Sequence, residues 1–461
     1  MRKIISKSTK AKYNKNNILT TTENYDKFKP KQLSQVQEGS SDSFSGNDGL
    51  NKDKQEGPGF NRKSNVIPLS QVMVGAKKSH ILNILNTYET NSSAQGSNTS
   101  LDYFMKKYFI SHKSIDYRDR DFIYEQVYFI TRNKLFLDVI SGNKLAINWN
   151  SRMDSYMNRD YFLTQRQNIN LPLNVKESFP IELFKLLKEN FGDNRVESIL
   201  KVLNERAPLT VRANLIKCSR EDLLVLLRKE GFRVEPTKYS PYGVTFLSRP
   251  KTNFANIRIF NDGFFEVQDE ASQLAALRVK AKPGDIILDY CSGSGGKTLA
   301  FAPFTQNKGQ IFLHDIRKNI LIEAKKRLKR ANIQNFQLFG DKSLLHNAVA
   351  GKCDWVLLDV PCSGTGAMRR NPENKYSFSL EQLKSLREKQ SEILEEALLY
   401  VKPEKGKIVY TTCSILHEEN LSQVMKFCGK HNWKIENETV FETTPKSGGM
   451  DGLFSATLVK H

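Results

Sequence analysis

The sequence lacks the features that brace a small secreted protein or hold a chain in a bilayer. Its six cysteines, Cys218, Cys291, Cys353, Cys362, Cys413 and Cys428, are scattered, form no C-x-x-C pair and have no histidine at zinc-ligand spacing. No structural metal site is therefore expected. There is no secretory apolar region and no apolar run near the length that spans a bilayer. These absences predict a soluble intracellular protein with reduced thiols and no membrane partner; a monomer is expected. Acid is also in short supply. Against 70 Lys and Arg stand 50 Asp and Glu, a formal charge of +20, and such a surplus favours a polyanionic partner because neutralised phosphates release counterions.

What is present falls into four stretches. Residues 1–67 are dominated by Lys, Asn, Ser, Gly and Gln, cannot bury enough surface to offset their ordering entropy, and read as a disordered basic and polar tail. Within it, residues 1–22 carry Arg2, Lys3, Lys7, Lys10, Lys12 and Lys15 without an acid, the charge bias of an organellar presequence. They have too few apolar residues for an amphipathic helix, so an ordinary tail is the favoured reading. Residues 68–175 read as a helical bundle: Val72, Val74, Ile81, Leu82, Ile84 and Leu85 share a face that ends in the polar stretch 91–100, and further helices are expected over 101–108 and 122–140. Residues 176–266 contain amphipathic runs at 180–190 and 194–205, then strand (209–216), helix (221–231) and strand (242–248). That order is expected of a small α+β module of the ferredoxin or RNA-recognition type. In residues 267–461 short apolar strands at 285–290, 309–314, 336–339, 355–359 and 407–411 alternate with helices. This predicts a parallel, doubly wound, Rossmann-like α/β sheet whose ligand lies beyond the carboxyl ends of the strands.

The first of those strand ends runs into Asp289-Tyr290-Cys291-Ser292-Gly293-Ser294-Gly295-Gly296-Lys297-Thr298. A dinucleotide loop starting at Gly293 would need glycine where Thr298 stands, and a phosphate loop ending in Gly296-Lys297-Thr298 would need one at Cys291, so both fail. An S-adenosylmethionine loop remains, supported by Asp315 at the end of the next strand, placed to accept from ribose hydroxyls, and by Asp341 after the third, placed to meet the adenine edge. The strongest local signal is Leu358-Asp359-Val360-Pro361-Cys362-Ser363-Gly364-Thr365-Gly366, directly after an apolar strand. A second cysteine ends another strand in Tyr410-Thr411-Thr412-Cys413-Ser414-Ile415. A lone cysteine is usually a small buried apolar residue, but two at strand ends beside small hydroxyl residues suit one chemistry. Carbon 5 of cytosine is a poor nucleophile until a thiolate adds to carbon 6, and a proton must then leave carbon 5 before the thiol is eliminated. Cys218, Cys353 and Cys428 read as structural.

At these residues the chain resembles the Sun/Fmu family of RNA cytosine-5 methyltransferases, in particular its branch acting on bacterial small-subunit ribosomal RNA. Further motifs occur in the family's order: Arg206 to Asn214 resembles the first strand of its RNA-recognition-like module, Phe264 to Gln273 its entry into the catalytic domain, and Met368 to Tyr376 the segment after the proline-cysteine loop. Cys413 with Glu418, Glu419 and Asn420 resembles the second cysteine motif, and Met450 to Phe454 the closing strand. The helices around Arg118-Asp119-Arg120-Asp121 resemble its NusB-like domain.

The resemblance implies Cys413 as nucleophile and Cys362 as the residue assisting elimination, whereas in DNA cytosine-5 enzymes the proline-cysteine loop supplies the nucleophile. It implies Cys291, Ser292, Gly293, Ser294, Gly295, Gly296, Lys297, Asp315, Asp341 and Asp359 as the S-adenosylmethionine set, with Asp359 also facing the target base. Gly293-Ser294 replaces the family's usual pair before the double glycine, so a looser loop is expected. RNA is the expected partner, ribosomal RNA first and transfer RNA second, in the cytoplasm with nucleolus and mitochondrion as alternatives. Arg369, Arg370, Lys375, Arg249 and Lys251 are expected to line a phosphate track, with Tyr376 or Phe378 stacking on an unpaired base. Two rival readings are a non-catalytic RNA-binding ribosome-assembly factor on a methyltransferase scaffold, which has no need of two thiols at strand ends, and a methyltransferase acting on DNA.

Overall fold

The computed structural model describes residues 75–95, 99–142, 148–250 and 252–461. The expected tail over 1–67, Val72, Val74 and Lys251 lie outside them. Residues 75–167 form a helical bundle, with helices Ala76–Gln95, Leu101–Ser111, Tyr117–Arg132, Lys134–Ile140, Trp149–Met157 and Arg159–Gln167 around a core that includes Ile81, Met105, Val127, Phe136 and Phe162. The first helix runs on through Asn91 to Gln95, because Asn and Ser are weak helix formers but not breakers. The single helix expected over 122–140 begins earlier, at Tyr117, and is interrupted at Asn133. There the Asn133 amide Nδ2 donates to the Phe129 carbonyl at 2.8 Å, a side-chain bond that competes with continuing the backbone ladder.

Helices Ile181–Phe191 and Asp193–Asn204 carry their apolar stripes onto Met368, Leu383, Ile415 and Leu416 of the C-terminal part, residues 267–461. This pair is the floor beneath the second cysteine motif. Next comes a four-stranded antiparallel sheet of β1 (Leu209–Ala213), β2 (Val234–Pro236), β3 (Gly243–Phe246) and β4 (Phe265–Val267), in the order β2-β3-β1-β4. It is backed by helix Arg220–Lys229, whose start is closed by a capping box between Ser219 and Asp222. Strands β2 and β4 are additions to the expected set.

The C-terminal part is a seven-stranded sheet of β5 (Ile286–Asp289), β6 (Gln310–His314), β7 (Phe336–Phe339), β8 (Trp355–Asp359), β9 (Lys407–Thr412), β10 (Trp433–Thr443) and β11 (Leu453–Lys460). The order is β10-β11-β9-β8-β5-β6-β7. Strands β5 to β9 pair in parallel, as expected. The all-parallel expectation fails at one edge, where β11 pairs antiparallel with β9, and β10 with β11. Along β8, Val356 and Leu358 enter one core with Leu288, Ile408 and Tyr410, while Trp355 and Leu357 enter the other with Ile287, Ile311 and Val409. This alternation is the period of two of a strand covered on both faces. Among the described residues no helix is long and apolar enough to cross a membrane, and no cluster of His, Cys, Asp and Glu could hold a metal ion.

Candidate active site

Register places the cysteines. β8 and β9 pair with Asp359 opposite Thr411, so Cys362, three residues past Asp359, and Cys413, two past Thr411, leave the same end of neighbouring strands. Their sulfurs are 3.2 Å apart and both cysteines are free. The turn carrying Cys362 is held on every side. The Gly366 amide donates to the Cys413 carbonyl at 2.9 Å, and the Gly452 amide to the Gly366 carbonyl at 2.9 Å. The Ile415 amide donates to Thr365 Oγ1 at 3.0 Å. Gly364 takes the left-handed backbone (φ 67°) that the turn requires. Cys362 is held in its thiol form by its hydrogen bond with Cys413, then by burial, then by the charge of Cys413 and, after it, that of Glu419.

Next to β8, strand β5 delivers the glycine turn. Gly293 and Gly295 have positive φ, and a Cβ on Gly293 or Gly296 would meet almost nothing within 4 Å. The backbone thus borders open space where a ligand can lie against it. Gly293 donates to Asp315 Oδ2 at 2.9 Å. Asp315 also accepts from the Arg317 guanidinium at 2.9 and 3.0 Å. Burial works to raise its pKa, but the bonds from Arg317 and Gly293 prevail and hold it below the usual carboxylate value. Lys297 Nζ lies 2.5 Å from Asp359 Oδ2. Burial works against its charge, yet Asp359 keeps Lys297 firmly protonated, and Cys413 lies within its electrostatic reach. Asp341, two residues past the end of β7, caps helix Lys342–Val349 through Oδ1. Cys291, directly before the turn, is half-buried, and burial raises its thiol pKa strongly.

The looser loop expected from Gly293-Ser294 is offset elsewhere in the fold. Arg327 donates to the Ser294 carbonyl at 2.9 Å and to its hydroxyl at 2.6 Å, and is itself paired with Glu266 at 3.0 Å. The Gln268 amide donates to the Gly296 carbonyl at 3.2 Å, and Arg212 to Gln268 at 2.8 Å. The four-stranded sheet thereby grips the glycine turn from behind. At the end of β5 sits Asp289, fully buried, with Oδ2 taking the Thr298 hydroxyl at 2.6 Å and Oδ1 without a partner. Burial pushes its pKa up to about 7. An open glycine cradle, an orphaned buried carboxylate oxygen and Asp315 on the next strand fit a nucleoside with a cationic tail.

The phosphate track needs correction. Arg369 has no exposed surface; its Nε donates to Asp451 at 2.5 Å and its Nη atoms to the carbonyls of Lys446 and Gly449. Arg370 pairs with Asp451 and with Asp269 at 2.9 Å. Lys375 is fully buried, donating to the Arg132 carbonyl at 2.7 Å and to Asn204 Oδ1 at 2.8 Å. Tyr376 bonds Ser178 through its hydroxyl at 3.0 Å, and Phe378 packs with the floor helices. The Glu373 carboxylate takes the Leu101 amide at 3.0 Å. These residues join the helical bundle, the floor helices and the C-terminal part, and only Arg249 of the described set keeps an exposed side chain. Sequence reasoning named Glu419 only as part of the second cysteine motif and Asp289 only at the head of the glycine run, and it missed Gln390 and Arg327, which no local spacing rule would have marked.

The family described as 16S rRNA methyltransferase RsmB/F matches residues 276–459, and the ferredoxin-like domain of the RsmF/B type matches residues 179–252. The ribosomal RNA small subunit methyltransferase B of Photorhabdus laumondii is 34% identical over 275 residues, covering 57% of this chain and 62% of that protein. This chain thus spans about three-fifths of the curated relative's length. Among solved structures, PH0851 superposes with a TM-score of 0.68 at 23% identity, over 84% of this chain and 99% of that one. NSun6 from Pyrococcus horikoshii with SFG gives 0.56 at 23% identity, over 62% and 99%. These two show the likeness of fold.

Proposed function

We propose, from the match of residues 276–459 to the RsmB/F methyltransferase family, that the chain methylates carbon 5 of a cytosine in RNA, ribosomal RNA before transfer RNA, through a covalent bond between Cys413 and the base. The observation that carries the reading is the 3.2 Å approach of Cys413 and Cys362 at the ends of adjacent strands, beside the glycine turn. When bound, S-adenosylmethionine supplies an electrophilic methyl group. The chain's residues do the rest. The Cys413 thiolate, near the Lys297 ammonium, adds to carbon 6, and the electron pair displaced from the ring double bond makes carbon 5 nucleophilic. Asp359 accepts from the base's amidine edge. After methyl transfer a water molecule takes the proton from carbon 5, the C–H electron pair re-forms the ring double bond and the bond to Cys413 breaks with its pair leaving on sulfur, with Cys362 beside the departing sulfur. Residues 291–297, Asp315, Asp341 and Asp359 form the proposed cofactor set. A cytosine reaches these thiols only when unpaired or flipped out.

The bundle of residues 68–175 is proposed to be NusB-like and to hold RNA, in a monomeric, cytoplasmic protein. The ribosome-assembly reading leaves the paired thiols without a purpose. The test is Cys362→Ala incubated with S-adenosylmethionine and small-subunit ribosomal RNA. A denaturant-resistant protein–RNA adduct is expected to accumulate and to vanish in the Cys362→Ala/Cys413→Ala double variant. No adduct together with no cofactor-dependent methylation overturns the assignment, and methylation of DNA oligonucleotides in preference to RNA would replace the substrate.

A further inference from the structure

Two thiols 3.2 Å apart share one environment, so something must decide which loses its proton. The surrounding charges are arranged unequally. On the Cys413 side stands the Lys297 ammonium, fixed by Asp359 at 2.5 Å. On the Cys362 side stands Glu419, with no exposed surface. Both oxygens of Glu419 are spent on the turn that carries Cys362: Oε1 takes the Ser363 amide at 2.8 Å and the Gln390 amide at 2.9 Å, and Oε2 takes the Ser363 hydroxyl at 2.5 Å. Gln390 also donates to the Pro361 carbonyl at 2.9 Å, and the Glu419 carbonyl is held by the Tyr410 hydroxyl at 2.7 Å. Three donors reach this carboxylate, and no ion pair compensates it among the described residues.

We propose that Glu419 is the positioning residue that makes the thiol pair asymmetric, fixing the turn so that Cys362 keeps its proton and donates it as a hydrogen bond to the Cys413 thiolate. This rests on the reading of Cys413 as the nucleophile. The groups facing Cys362 are Cys413 and Tyr410 from β9, Glu419 from the loop after it, and, beyond Cys413, Lys297 and Asp359. The carboxylate raises the cost of a second negative charge at Cys362. In elimination the sulfur leaving carbon 6 departs with its electron pair as a thiolate, and Cys362 meets it with a hydrogen bond without giving up its proton. The carbon-5 proton is taken by solvent water, its C–H electron pair re-forms the ring double bond and the C–S pair leaves on Cys413, so protons and electrons balance.

The test uses the full-length protein without RNA, alkylated by iodoacetamide at neutral pH, with the rate at each cysteine read by peptide mass spectrometry. Cys413 is expected to react faster than Cys362. Glu419→Gln keeps the shape and the acceptor for the Ser363 amide but removes the charge, and the ratio of the two rates should fall roughly tenfold, the size of a one-unit relative shift. Glu419→Asp keeps the charge and should restore most of the preference. A purely structural role predicts the reverse, with Glu419→Gln close to the parent protein and Glu419→Asp impaired. An unchanged ratio in Glu419→Gln, or faster alkylation of Cys362 in the parent, overturns the proposal. Failure of the underlying reading shows differently, as no RNA adduct in Cys362→Ala whatever the alkylation ratio.

Discussion

Two neighbouring regions of the catalytic part bury charge in opposite ways. At the mouth of the sheet, Asp289 keeps an oxygen with no partner, and the glycine turn borders empty space. In the segment after the cysteine turn, Arg369 and Arg370 are saturated by Asp451, Asp269 and backbone carbonyls. Lys375 donates to a carbonyl of the bundle and to an amide of the floor helices. Buried polar groups demand partners; at the mouth the group left short lies next to the open glycine turn, whereas at the joint Arg369, Arg370 and Lys375 are supplied, although Glu373 Oε2 and Arg132 Nε there are left short. Sign of charge and place in the sequence do not make that distinction.

If the segment is a joint, breaking it should cost stability before it costs anything else. The largest effect is expected from Arg369→Ala, which leaves Asp451 with Arg370 as its remaining cation and unpairs the Lys446 and Gly449 carbonyls, and should destabilise by about 3–5 kcal/mol, read as a fall in the denaturant midpoint with unchanged slope. A loss of RNA affinity with stability intact would restore the phosphate track and erase the contrast. Next comes Gly366→Ala at the mouth. Its Cβ would sit 2.2 Å from the Gly452 carbonyl oxygen, a backbone atom that cannot swing away, so overpacking of about 1–3 kcal/mol is expected. Because Gly366 also holds the Cys413 carbonyl, methyl transfer should fall further than stability alone predicts, which a comparison of unfolding and single-turnover rates would show.

The same contrast explains what could be read from residues alone. The parallel strands β5 to β9 were legible to within a residue or two because each is a short apolar run buried on both faces, and the ends of β8 and β9 then brought Cys362 and Cys413 to one cleft. Strands β2 and β4, three residues each, are too short for any period to show. In β10 the alternation is broken between Ile435 and Val440, where Asn437 and Glu438 take positive φ and the register slips. Arg369, Arg370 and Lys375 look like a basic patch in one dimension; their partners Asp451, Asn204 and the Arg132 carbonyl come from remote parts of the chain. Glu419 lies 56 residues from Ser363, a pairing that only the tertiary fold creates.

The smallest expected effect is also the most diagnostic of the mouth. Asp289 is buried with a pKa pushed up to about 7 from a reference value of 3.8. Between those values the folded protein holds a proton that the unfolded chain releases, so Asp289 contributes stability that is fully present below the unfolded value and is lost as pH rises through about 7. Asp289→Asn has no proton to release. Its stability relative to the parent should therefore improve steadily from pH 4 to 7.5, the difference at low pH staying within about 1–3 kcal/mol because the Thr298 hydroxyl still finds an acceptor. Denaturant unfolding across that range reads the slope directly. A ligand whose cationic group reaches Oδ1 would hold the carboxylate ionised and flatten the parent's slope without touching that of Asp289→Asn. If S-adenosylmethionine leaves the parent's slope unchanged while still binding, the orphaned oxygen is not its contact, and the contrast between an open mouth and a closed joint loses its carboxylate.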